Sequence, residues 1–323
     1  MSERQYTYAV ARIRAMEVSL FTQAVIEQLL ACKNEQQCLQ FLLERGWGDA
    51  EIPVEAEAIL TCEREKIWEE MRALTDDMSA FDVLTYQDLF HNLKAAIKAA
   101  VRDTYPEQIF IQDTAITGEE MITLIKAKEF SKLPANMAGA AQEAYETLLH
   151  TGDGQLCDIM IDQAALKAIY AAGKEAKEDI IREYAESTVA VANIKIAVRS
   201  QKTAKSIDFM EKAMAECDSL DINALAYAAI QGADAIQSYL EGTVYAEGAL
   251  ALAVSQSAFE CWCDNRIIQT IRPQIYNPFT IGPLVAFVLA RENEIKTVRI
   301  ILSGKLNDMP EESIRERVRE MYA

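Results

Sequence analysis

The sequence predicts an all-α fold built from three helical bundles in series. Three observations carry this. Glycine and proline together number 19 of 323 residues, about half of ordinary usage, which leaves few turns and favours long helices. Good helix formers such as Ala, Glu, Leu, Gln and Lys are abundant, and no segment shows clean period-two alternation. A basic, apolar dozen also recurs: HNLKAAIKAAVR begins at His91, ANIKIAVRSQKT at Ala192 and NEIKTVRIILSG at Asn293, each 101 residues after the one before. Self-similarity at a fixed period marks repeat construction. Here it divides the chain into 1–105, 106–206 and 207–323, arranged about a pseudo-three-fold axis.

Residues 5–45 read as two helices, with Ile13, Met16, Leu20, Phe21 and Ala24 at helical spacing. Gly46 and Gly48 of RGWGD stop them. A long helix fits 55–74, TDDMSAFD at 75–82 is a turn, and the first repeated helix runs to about Arg102. The second third fits helices at 118–130, 136–150, 156–181 and 187–205. The last third fits 207–216, 222–237, 242–271 and 283–302. RPQIYNPFTIGP lies before the final one, and Pro283 suits a first helical position, where a missing N–H costs nothing. MPEESIRERVREMYA closes the chain as a helix with acids first and arginines after, the order that suits the helix dipole.

Net charge is −18, which disfavours a nucleic-acid partner or anionic lipid, since both must be met by Lys and Arg. Seven scattered cysteines read as reduced thiols rather than a disulfide framework. The N-terminus lacks an apolar signal core. The most apolar run, IGPLVAFVLA at 281–290, is about half the length that crosses a bilayer, so no direct membrane insertion is expected. No cofactor or metal site is expected either. SGKL at 303–306 lacks the Ser or Thr of a phosphate loop, and Arg299 stands where its first Gly belongs. CWC at 261–263 is too close-set for zinc. Asp76, Asp77 and Asp82 loosely resemble the Asp-Asp-x-x-Asp magnesium cluster of isoprenoid synthases, but the third Asp is two residues late. A turn and helix-cap role is the cheaper reading.

The repeated dozen carries a basic stripe in each copy: Lys94, Lys98 and Arg102; Lys195, Arg199 and Lys202; Lys296 and Arg299. In so acidic a chain these are positive islands. Either they are solvated or paired within the fold, or they converge on a socket or rim that meets an acidic partner, giving steering and register. Asn92 and Asn193 occupy matching positions, with Glu294 in the third copy; capping or helix–helix hydrogen bonding is the expected role of the two asparagines.

YAVARIRAMEVSLFT, FLLERGWGD, HNLKAAIKA, ANIKIAVRS and above all GPLVAFVLARENEIKTVRIILSGKLNDMPEESIRERVREMY resemble the C subunit of the V/A-type rotary ATPases, counterpart of the d subunit of the vacuolar enzyme. The resemblance spans essentially the whole chain and is most specific from Gly282 to Tyr322. It implies a funnel-shaped, all-α, non-catalytic rotor component with no cofactor, monomeric within its complex. Such a component sits on the cytoplasmic face of the rotor ring and receives the D and F shaft proteins, in a machine that couples ATP hydrolysis or synthesis to proton or sodium transport. The alternative is an all-α scaffold or a magnesium-dependent isoprenoid-type enzyme.

Overall fold

The computed structural model describes residues 6–104, 109–112 and 114–323. They form sixteen α-helices and no strand. In chain order the helices are α1 Thr7–Glu17, α2 Gln23–Leu30, α3 Glu35–Glu44, α4 Ala56–Leu74, α5 Asp82–Arg102, α6 Gly118–Lys126, α7 Ala135–Thr151 and α8 Gly154–Glu175. There follow α9 Asp179–Lys202, α10 Ile207–Ala213, α11 Ile222–Gln231, α12 Ala233–Glu241, α13 Ala246–Val254, α14 Gln256–Ile271, α15 Gly282–Leu306 and α16 Glu311–Arg315.

Several expected boundaries move, each for a local reason. The first 45 residues hold three helices rather than two, because Asn34 turns extended and its side chain accepts the Gln37 amide at 2.9 Å to start α3. The 222–237 stretch breaks at Gly232, whose φ of 133° only glycine takes readily. The 242–271 stretch breaks at Ser255, which is extended and caps α14 through the Ala258 amide at 2.9 Å. The closing helix stops at Arg315, and the tail beyond it packs irregularly on α14. There Asn265 accepts the Glu320 amide at 2.8 Å, and Asp264 takes Arg319 at 2.8 Å. Backbone groups met by side chains have no need of a helix.

The chain resolves into two compact units, one of residues through Ala80 with Glu247–Ala323, the other of Phe81–Ala246. The first is organised on α15, against which α1, α2, α3, α4, α14 and α16 pack. Residues 282–291 are all buried, so the most apolar run of the sequence is a central core helix, apolar on every side because every side is covered. Among the described residues no helix is long and apolar enough to cross a membrane. At the far end of α15 a Cβ on Gly304 would stand 2.6 Å from Ile314, so glycine there lets α16 lie close.

The second unit packs α5, α6, α7 and α8 about Phe90, Leu93, Ile97, Met121, Met137, Ala141 and Ile161. Burying one such large apolar side chain contributes ~1.5–3 kcal/mol. α9 continues the unit against α8, and Gly173 allows the close crossing, since a Cβ there would meet that of Ala185 at 2.4 Å. α10, α11 and α12 complete it against α9.

Candidate functional site

The three repeated stretches fall on α5, α9 and α15. In each, one fully buried polar side chain reaches from the helix to the main chain of a segment that precedes another helix. On α5, Asn92 accepts the Ile111 amide and donates to the Ile111 carbonyl, both at 2.8 Å. On α9, Asn193 accepts the Ala215 amide at 3.0 Å and donates to the Ala215 carbonyl at 2.7 Å. A side-chain amide presents one donor face and one acceptor face, so it pairs with a single residue as a neighbouring strand would. The expected roles in capping or helix–helix bonding are therefore replaced by a helix-to-loop latch. The segment held by α5 leads into α6, capped by Thr117, and that held by α9 leads into α11, capped by Asp221.

The third latch has the same place and different chemistry. Glu294 of α15 accepts the Phe21 amide at 2.8 Å, just before α2. The carboxylate is 1 % exposed and also takes the Arg291 guanidinium, which in turn grips Glu63 of α4. Lys66 pairs with Glu63 at 2.6 Å and donates to the Gly48 carbonyl at 2.7 Å, while the Gly48 amide donates to Glu63 at 2.9 Å. Arg291 lies over the Trp47 ring at 5.0 Å, and Trp47 stacks on Phe21 at 5.0 Å. The RGWGD turn is thus shaped around this cluster, with Gly48 at φ 79°. Burial pushes the Glu294 carboxyl up to about 7 against the opposing pull of Arg291. Asn293, one residue earlier, serves the tail by donating to the Glu320 carbonyl at 2.9 Å.

A cleft of about 630 Å³ in this unit is lined by Tyr8, Arg12, Glu63, Lys66, Glu70 and Arg291. Its cations are already matched to carboxylates, Arg12 to Glu70 at 3.1 Å and the other two as above, so it offers no free charge to an anionic ligand.

The basic stripes divide. Lys94 pairs with Asp162 at 2.7 Å and Lys98 with Asp158 at 2.6 Å, both on α8. Lys296 pairs with Asp264 of α14 at 2.6 Å, and Arg299 with Glu57 of α4 at 3.0 Å. These four brace their helix against a neighbour. Lys202 is engaged within the fold as well. Lys195 and Arg199 stand exposed, one turn apart on α9, with no partner among the described residues; Arg102, at the end of α5, is likewise exposed and unpaired among them. Asp77 is spent on its own turn, accepting the Ser79 amide at 3.0 Å and hydroxyl at 2.6 Å.

Sequence reasoning missed the loops that the latches hold and the Glu63–Arg291–Glu294 cluster. One signal could have found the cluster: Arg291 and two glutamates follow directly on an otherwise apolar run, and charge inside such a run implies pairing.

Comparison with known proteins agrees with the sequence resemblance. The model of the ATP synthase (C/AC39) subunit family matches residues 9–317. The C subunit of the A-type ATP synthase of Methanocaldococcus jannaschii is 24% identical, covering 96% of this chain and 85% of that protein. The C subunit of the V-type sodium ATPase of Enterococcus hirae is 22% identical, over 96% of this chain and 97% of its own. Matched over nearly its whole length, in an all-helical fold, the chain belongs to the ATP synthase (C/AC39) subunit family.

Proposed function

We propose that this chain is the non-catalytic central-stalk subunit of a V/A-type ATPase. It couples the D and F shaft proteins to the membrane rotor ring, on the cytoplasmic side, and so takes part in ATP-driven or ATP-synthesising proton or sodium transport. The observation that carries this reading is the family match over residues 9–317, joined to relatives that are themselves the C subunits of A-type and V-type enzymes. The shared latch at three positions 101 residues apart supports three helical-bundle repeats about a pseudo-three-fold axis, with the funnel form the resemblance implies. Close-packed bundles resist deformation, as a torque-bearing collar must.

Lys195 and Arg199 carry the docking part of the proposal. They are exposed, unpaired among the described residues, and cationic in a chain of net charge −18. Lys94, Lys98, Lys296 and Arg299 contribute through the helices they brace, and Arg102 and Lys202 extend the stripes. Peripheral charges of this kind steer association and fix register more than they add affinity.

The test is purification of the tagged chain from gently solubilised membranes, beside the double variant Lys195→Glu, Arg199→Glu. Ring and shaft proteins should accompany the wild type in stoichiometric amounts and be depleted from the variant already at low salt, where the reversed charges are least screened. Recovery of the chain alone, with the ATPase intact, refutes the coupling role. Full assembly of the variant at both low and physiological salt refutes the docking role of these two cations.

A further inference from the structure

We propose that the third latch is proton-linked: Glu294, standing where the other copies have asparagine, takes up and releases a proton while holding Phe21, and so makes the attachment of the Ser19–Thr22 segment to α15 sensitive to pH where the other two attachments are not.

The argument begins with the repeat. Three helices use one position to hold a loop main chain. Asn92 and Asn193 do so with a neutral amide, donor and acceptor together, and neither can change charge. Glu294 is a carboxyl group in that place, as buried as they are. Ionised, it can only accept. Protonated, it carries one donor and one acceptor and becomes the chemical analogue of the asparagine amide. Uptake adds one proton from solvent at Oε1, frees Nη1 of Arg291 from that oxygen and leaves Oε2 on the Phe21 amide. Arg291 keeps Glu63 through its other nitrogen, so no cation is stranded.

The surroundings set how this group titrates. The charges that face it are Arg291 on its own helix and Glu63 from α4, with Lys66 behind Glu63. The Ser19–Thr22 segment contributes only its amide. Charged groups on the other packed elements are taken up elsewhere: Arg14 of α1 with Glu17, Glu27 of α2 and Glu311 of α16 with Arg315, Arg45 just after α3 with Gln28, and Asp264 of α14 with Lys296 and Arg319. Arg272, in the turn before α15, pairs with Glu320. Burial opposes the anion, Arg291 and the Phe21 amide favour it, and the balance leaves the carboxyl near neutrality rather than in the usual acidic range.

The experiment follows the backbone amide resonances of Phe21, Ile111 and Ala215 in the full chain between pH 5.5 and 8.5. The two asparagine-held amides serve as internal controls. Phe21 should shift with a single midpoint near neutrality while Ile111 and Ala215 stay flat, and Glu294→Gln should flatten Phe21. A flat Phe21 in the wild type, or three amides moving together, overturns the proposal. The wild-type comparison decides by itself, so the proposal stays exposed even if the variant fails to fold.

Discussion

Asn193→Ala tests the latch where it is most completely buried. Asn193 is 0 % exposed and Ala215 is 1 % exposed. The substitution removes the two hydrogen bonds to Ala215, each worth ~1 kcal/mol net, with a longer one to the Cys217 sulfur, and orphans a peptide N–H and C=O whose desolvation costs about 1–3 kcal/mol apiece while they stay buried. It also leaves a small void. If the segment stayed in place the loss would approach roughly 5 kcal/mol. Partial opening to water lowers the expected value to about 3 kcal/mol. All three tryptophans, Trp47, Trp68 and Trp262, belong to the other unit, so their fluorescence is the wrong probe. Amide hydrogen exchange across α9, the Ala215 segment and α11 is the right one, because it reads local opening directly. About 3 kcal/mol corresponds to faster exchange by roughly a hundredfold, at about 1.4 kcal/mol per factor of ten. Asn193→Asp sharpens the test. Ionised, it sets an oxygen against the Ala215 carbonyl, and only acid, by restoring a donor, should recover protection. Ala215 exchange within a factor of about three of wild type in both variants would refute the latch as a source of stability.

Arg291→Met should cost about 3–5 kcal/mol in urea unfolding followed by tryptophan fluorescence, because Glu294 is left buried without its cation and Glu63 keeps only Lys66; replacing all three groups with neutral ones should recover most of it, and a loss below about 1 kcal/mol would deny the cluster its role. Gly48→Ala should cost about 1–2 kcal/mol by the same assay, since φ is 79° and the new methyl meets Ile52 and Ile59 at 3.4 Å. Falling pH should favour the fold at Glu294: its carboxyl lies at about 7 in the folded chain against 4.5 ordinarily, so between those values the native state holds a proton that the unfolded chain has released. The urea midpoint of wild type relative to Glu294→Gln should therefore rise as pH is lowered from 8 to 6, and a constant difference would contradict it. Burial pushes the Cys38 thiol up to about 12 and Cys157 to about 11, so at pH 8 both should resist a disulfide reagent until the chain unfolds, as mass spectrometry of trapped peptides would show.

Helix content was legible because it rests on local pattern. α4, α5 and α15 follow from apolar spacing, and Pro283 sits in the first turn of α15 as its sequence context implies. The breaks were harder. Gly232 ends α11 through a backbone angle that a lone glycine does not announce, and Ser255 resembles any exposed serine until it caps α14. The basic stripes were plain as spacing, yet whether each cation is free depends on Asp158, Asp162, Asp264 and Glu57, none of them near it in sequence. The latches lay deeper still. Asn92 and Asn193 stood out as matched letters, but their partners are 19 and 22 residues downstream in segments of no recognisable pattern. Glu294 meets Phe21 across 273 residues, a separation over which periodicity carries no information.

That last separation bears on how the polypeptide is made. Phe81–Ala246 is one continuous stretch, free to fold once it has left the ribosome. The residues through Ala80 belong with Glu247–Ala323, and α15, the helix they pack around, begins only at Gly282, after the whole middle unit has been synthesised. At about 5–20 residues per second the wait is on the order of ten seconds or more. Throughout it, Ile13, Ile26, Leu29 and Ile59, all fully buried in the finished molecule, have no core to enter. The nascent N-terminal segment is therefore the natural client of a chaperone, and a pause or truncation before α15 should strand it as an aggregating species while leaving the middle unit folded.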